Sequence, residues 1–369
     1  MQQTRSICPS RFLSLHVGQA AAVALAAGVA LHAVDASADA FDEYGLQPDR
    51  AFSLPANAGG IQVLADGRIA AVRNNATDGV YEILYEDALG SRTFSEVGSF
   101  DASLVASFGP SFVTLSPDGQ TLAVGDNVFG TLAEVLFFDT SGFSPSGPTV
   151  PSATATVANF DAAWIDNDTL AVTGADASTF TPQAALVDLT NPTVPTVDNV
   201  VADAGGASGG VAVDADGNLY VGDGFGSTVG VIRRFTPSQI ASALVGGPLD
   251  FATEGELVAD VLSAASLGFD NEGNLHVGGG DIFGTSGDVD YWGLVDAESL
   301  ATASPVVRQF DPIALPFTGY SVVFNPVLEQ FYATSGDAPG EVFVYQVPEP
   351  ATAALIAIGL LGALRRSRR

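Results

Sequence analysis

The chain has 369 residues and a formal net charge of −29, and 47% of its residues are hydrophobic, enough for a large core. There is no lysine, and between Phe41 and Pro350 seven arginines face 40 acids, a net charge of −33. Such a surface repels nucleic acid and anionic headgroups, and it suits solubility in saline surroundings or capture of cations. The absence of lysine also excludes a Gly-x-x-x-x-Gly-Lys phosphate loop.

The first 40 residues read as a secretory leader. Arg5 and Arg11 precede an Ala/Val/Leu-rich run from Val17 to Val34, and Ala38-Asp39-Ala40 places small side chains at −3 and −1 of a cut after Ala40. Export then runs through the Sec translocon. An uncleaved N-terminal membrane anchor is the alternative; Gly18, Gly28 and the cleavage-like exit speak against it. The single cysteine, Cys8, precedes the apolar run, which excludes a lipoprotein, and it is lost with the leader. The mature chain therefore has no disulfide, thiol nucleophile or cysteine metal site.

From residue 41 to 346 one pattern recurs. Ile61–Arg73 reads IQVLADGRIAAVR, Phe112–Asp126 FVTLSPDGQTLAVGD and Ala162–Gly174 AAWIDNDTLAVTG. Val211–Asp223 reads VAVDADGNLYVGD, Leu267–Gly279 LGFDNEGNLHVGG and Ser321–Ser335 SVVFNPVLEQFYATS. Each is an apolar strand, a tight polar turn and a second apolar strand. Asp-Gly at 66–67, 118–119 and 216–217 signals hairpin turns with positive φ. Turn centres at Asp66, Asp118, Asn167, Asp216, Glu272 and Leu328 lie 52, 49, 49, 56 and 56 residues apart.

A third strand follows each hairpin, at Val80–Tyr85, Val135–Asp139, Ala184–Leu189, Val229–Phe235, Tyr291–Asp296 and Val342–Gln346. Weaker fourth strands are read at Thr93–Phe100, Glu256–Val261 and Pro305–Phe310, and a short helix at Pro237–Leu244. Four strands every 50 residues or so is the period of a propeller blade, and six copies predict an all-β, six-bladed β-propeller. The last copy lacks a fourth strand, and Ala51–Leu54 is a spare strand before the first, so the two ends are expected to complete one blade together. The hairpins, above all GGVAVDADGNLYVGD, resemble those of NHL-type six-bladed propellers. An irregular β-solenoid or two β-sandwiches is the alternative architecture.

Catalytic signals are sparse. His276 is the one histidine beyond the leader, and in NLHVG it occupies the slot Tyr220 takes in NLYVG, so it reads as a strand residue. Asp214-Ala-Asp216-Gly217-Asn218 lacks the length and bidentate Glu of a calcium loop and reads as a turn. Trp164, Tyr220, Tyr291, Trp292 and Tyr320 fall at apolar strand positions and read as core rather than as sugar-stacking platforms.

The sharper candidates are aspartates just after the second strand of successive repeats: Asp126, Asp176, Asp223, Asp281 and Asp337, with Asn74 and Asn75 in that place in the first repeat. Propeller topology would bring these loops around one mouth of the channel, where Ca²⁺ or another ligand could be held by several oxygens. The alternative is that each aspartate bonds its own loop backbone.

The end, Val347-Pro348-Glu349-Pro350, is followed by 14 apolar or small residues (Ala351–Leu364) and by Arg365, Arg366, Arg368 and Arg369. As a helix that run is only about 21 Å long, short for a bilayer core of roughly 30 Å. The three parts in this order resemble the PEP-CTERM sorting signal of Gram-negative bacteria. The resemblance implies processing of residues 347–369 by an exosortase after transient membrane insertion. It also implies delivery to the cell surface or exopolysaccharide matrix, where surface proteins or polysaccharide would be the partners. A plain C-terminal anchor is the alternative. Two function classes follow: a non-enzymatic surface or matrix propeller, or a Ca²⁺-dependent propeller enzyme of lactonase, phytase or lyase type.

Overall fold

The computed structural model describes residues 52–56, 58–105, 110–126, 133–175, 182–204, 209–223, 230–261, 263–279, 291–302, 308–309, 319–335 and 340–346. Residues 1–51, where a leader is expected, and 347–369 lie outside them.

Strands run in chain order through six antiparallel sheets. The first blade is β2 (Ala58–Val63), β3 (Ile69–Asn75), β4 (Val80–Glu86) and β5 (Phe94–Asp101). The second is β6 (Val113–Leu115), β7 (Thr121–Gly125), β8 (Glu134–Asp139) and β9 (Ala153–Thr156). The third is β10 (Asp161–Trp164), β11 (Thr169–Ala175), β12 (Pro182–Asp188) and β13 (Thr196–Ala202). The fourth has β14 (Val211–Val213), β15 (Leu219–Gly222), β16 (Gly230–Phe235) and β18 (Glu256–Val261), and β17 (Leu249–Asp250) lies in its last connection. The fifth is β19 (Ser266–Phe269), β20 (Leu275–Gly279), β21 (Tyr291–Val295) and β22 (Arg308–Gln309). The sixth is β23 (Gly319–Asn325), β24 (Gln330–Ser335) and β25 (Glu341–Gln346), and its fourth strand is β1 (Phe52–Ser53), from the other end of the body. The expected closure is thus present: Phe52 pairs with Val342 and Ser53 with Glu341.

The first strands of the blades contact one another in a complete circuit, β2 to β6, β10, β14, β19, β23 and back to β2. This circuit is the inner ring of a closed propeller, and it leaves no unpaired inner edge. Between blades the core is aliphatic and aromatic: Ala123, Phe137, Leu170 and Val187 pack between the second and third, and Phe235, Ile240 and Phe251 between the third and fourth. Between the fifth and sixth, Trp292 meets Phe331 and Tyr345. Tyr220 and Trp292 are buried as expected of core residues.

Side chains also staple neighbouring inner strands. Gln62 bonds both the N–H and the C=O of Leu115, Asp161 Oδ2 accepts from Val211 N at 2.9 Å, and Ser266 Oγ accepts from Val322 N at 3.2 Å. Close backbone crossing fixes one residue type beside these staples. A Cβ at Gly174 would stand 2.4 Å from the Ala158 carbonyl carbon, where the chain enters the third blade.

The hairpins differ from the two-residue turns that Asp-Gly suggests. At Asp66-Gly67 and Asp216-Gly217 only the glycine has positive φ, 83° and 78°. Leu64 N bonds Arg68 O while Gly67 N bonds Leu64 O, a three-residue loop with a bulge, and Asp214 and Gly217 repeat it. In the sixth blade Glu329 takes the positive-φ place at 50°.

Two outer edges are covered by the following blade. Helix α1 (Pro237–Gly246), longer by two residues than expected, begins with a capping box of Thr236 and Gln239. It and β17 lie against the third blade, where β17 pairs parallel with β13. The second blade's last connection does the same to the first, with Thr149 N on Ser99 O at 2.6 Å. Two short helices, α2 (Phe251–Glu254) and α3 (Ala297–Leu300), complete the list of α-elements among the described residues. No helix there is long and apolar enough to cross a membrane.

Replacing Gly217 with valine forces a β-branched residue into the left-handed region. The expected loss is about 1–2 kcal/mol, read as a lower urea midpoint; an unchanged midpoint would contradict the turn described here.

Candidate functional site

Strand direction divides the propeller into two ends. Inner strands begin, and second strands finish, at one end, called here the loop end. The hairpins between first and second strands, and the connections between third and fourth, lie at the other, the turn end.

Asp126 and Asp223 stand at equivalent places on the loop end, directly after β7 and β15. Their N–H groups bond Glu134 O at 3.0 Å and Val231 O at 2.8 Å. Their side chains differ. Asp126 is buried, and its Oδ1 accepts from Asn159 Nδ2 at 3.4 Å. Asn159 also donates to Glu134 O and Val157 O, so this carboxylate belongs to a loop network. Asp223 Oδ1 is shielded from water and takes no hydrogen bond among the described residues. Burial pushes the Asp223 carboxyl up to about 6, against the pull of the Arg233 charge. Asp176, Asp281 and Asp337 lie outside the described residues. In the first blade the same place holds a closed polar set, in which Asn75 donates to Asp78 and Glu82 while Glu82 pairs with Arg73.

The loop end holds a further carboxylate that the sequence did not single out. Asp161 opens β10, and its two oxygens accept from Ala162 N and Val211 N, both at 2.9 Å. Burial raises its carboxyl to about 7, and these two N–H groups only partly offset the rise. A charged residue opening an otherwise apolar strand was its one visible signal. Thr173, paired with it across β11, donates to Gly209 O at 2.6 Å and completes the join to the fourth blade. Among the described residues no three His, Cys, Asp or Glu side chains are grouped so as to hold a metal ion.

The turn end holds saturated carboxylates. Asp214 accepts from Asp216 N, Asn218 N, Asn218 Nδ2 and Tyr220 OH, so the calcium-loop-like segment is a turn. Asp270 repeats this with Glu272 N, Asn274 and His276 Nε2. His276 is fully buried, and its Nδ1 accepts from Trp292 Nε1 at 3.0 Å. Burial lowers its pKa against the pull of Asp270, which fits a neutral ring locked between two partners. That geometry gives it no path to a substrate.

Residues 346–369 match the PEP-CTERM protein-sorting motif, which marks the chain as an exported, exosortase-targeted protein. No curated protein matches the chain. Among solved structures it is similar to a PQQ-bound aldose sugar dehydrogenase from Streptomyces coelicolor, at 12% identity and a TM-score of 0.52, covering 80% of this chain and 95% of that one. It is also similar to a chain of a mitotic checkpoint complex, at 14% identity and a TM-score of 0.50, covering 83% and 97%. Identities this low establish the propeller fold and nothing of activity.

Asp161 titrates near 7 in the folded chain, against an ordinary value near 4. The folded protein therefore keeps a proton that the unfolded chain releases between these values. This contribution to stability is complete below about pH 4 and is lost as pH rises through 7. Asp161→Asn holds the side chain neutral throughout. Urea midpoints of variant and wild type are expected to agree below about pH 4, to separate as pH rises from about 4 to 7, and to differ by a constant amount above that, the variant then being the more stable. Parallel pH profiles would show that Asp161 does not titrate in this way.

Proposed function

We propose that the chain is an exported binding propeller, carried to the cell surface or exopolysaccharide matrix by its C-terminal signal. There an exosortase cuts at Pro348-Glu349-Pro350 and releases the body to work without catalysis. The observation that carries this reading is the direct joining of the sorting motif to the last strand of the closed propeller. The loop end supplies the binding face, since Asp126, Asp161 and Asp223 lie there on three successive blades while Asp214 and Asp270 at the turn end are held by their own turns. An acidic, lysine-free body suits a hydrated matrix, where a polysaccharide, a surface protein or a cation would be the partner.

A calcium-assisted propeller enzyme is the second reading. It draws on Asp223, whose Oδ1 takes no hydrogen bond among the described residues and is the kind of donor a hard cation takes up. It requires the aspartates outside the described residues to complete the ligand set.

Intact-mass measurement of the exported chain tests the sorting step. The expected product begins at Phe41 and lacks Ala351–Arg369; a secreted product that keeps these residues would sink the proposal. Calorimetric titration of the processed chain with Ca²⁺ tests the second reading, which requires tight binding that Asp223→Asn abolishes; absence of binding would exclude it.

A further inference from the structure

The large apolar side chains that stand exposed among the described residues share one end of the propeller. Leu89, Val150 and Val194 lie in the connections between third and fourth strands of the first three blades, and Leu244 and Val245 in that of the fourth. Leu257 begins the outer strand of the fourth blade at the same end, and Val327 is in the sixth blade's hairpin. Val150, Val194 and Val245 are 78%, 61% and 91% exposed, so most of their apolar surface faces solvent. All seven belong to the turn end.

The chain also leaves the described body at that end. β25 is the third strand of its blade and finishes at the turn end, while β1 pairs with its first residues, Glu341 and Val342, toward the loop end. β25 is paired to its last residue, Gln346 to Gln330, and Tyr345 beside it is 1% exposed with its ring 4.6 Å from Trp292. Fraying this strand would uncover a large aromatic side chain, so it holds its end in place. Only Val347–Pro350 separate it from the apolar run, and four residues span at most about 14 Å. The headgroup layer on each side of a bilayer takes up roughly 5–8 Å of that reach.

We infer that, before processing, the propeller stands with its turn end on the lipid headgroups, the exposed valines and leucines meeting the acyl boundary, and presents the loop end outward. This rests on the reading that the tail enters a bilayer. The turn end also exposes Asp66, Asp118, Asp216 and Glu329, which repel anionic lipid, so the partner surface is zwitterionic. The arrangement leaves the Asp126, Asp161 and Asp223 end free while the chain is still tethered.

The test uses the exported, tail-bearing chain with a Cys8→Ser change and an environment-sensitive fluorophore on single cysteines: Val150→Cys, Val194→Cys or Thr77→Cys. Thr77 is an exposed loop-end position. With phosphatidylcholine vesicles the chain is expected to co-float, the labels at 150 and 194 to shift to the blue, and the label at 77 to keep its aqueous emission. Flotation with silent labels at 150 and 194, or an equal shift at 77, would overturn the orientation and leave the sorting reading standing. Failure of the tail-bearing chain to float would overturn both.

Discussion

The whole ring is closed by a pairing of two residues with two. Phe52 and Ser53 meet Val342 and Glu341 across 290 residues of chain, and Leu54 N continues the contact to Gly340 O at 2.7 Å. Closing a flexible loop of that length from nothing would cost about 5 kcal/mol of chain entropy, more than two strand residues recover. The closure is affordable because the inner ring forms most of it first: once β23 lies against β2, the ends of the chain are already neighbours. Val342 and Val344 are then wholly buried under the added strand's side of the blade. Such non-local pairing also places this body among slowly folding topologies.

The same circuit explains why the inner ring carries a polar frame. Inner strands from adjacent blades do not share a sheet, so their backbone groups near the axis need partners from side chains. Gln62, Asp161 and Ser266 supply them at three of the joins. A carboxylate used this way is desolvated by the blades it joins, and its raised pKa follows from that position. Asp161 is therefore structural before it is anything else, and any ligand at the loop end must compete with Val211 N for it. Asp223 Oδ1 takes no such bond among the described residues.

The blade plan was legible in the sequence because each repeat carries its turn chemistry locally. Gly67, Gly119 and Gly217 sit where a left-handed residue is required, and apolar flanks mark the strands. The turn form was not legible, since Asp-Gly serves two- and three-residue loops alike and only the bulge after Gly67 and Gly217 tells them apart. β17 escaped notice for another reason: a two-residue parallel pair is made by its packing against the third blade and has no period of its own. At the site, Asp126 and Asp223 were found by position within the repeat. Asp161 was not, because its role depends on a neighbour 50 residues away, Val211, whose proximity only the ring creates.

Sorting and shape meet at the sixth blade, where the first described strand pairs with the strand that precedes the sorting motif. Residues 41–346 contain no cysteine, so this join can be interrogated by a designed disulfide. Directly opposed residues in an antiparallel pair have Cα atoms about 4.5–5.5 Å apart, within disulfide range. With Phe52→Cys and Val342→Cys in the exported chain, spontaneous oxidation to a single intramolecular bridge and a raised melting temperature are expected. Two free thiols in a folded, soluble product would mean that the ring is not closed by this pair, and the blade assignment at both ends would be wrong.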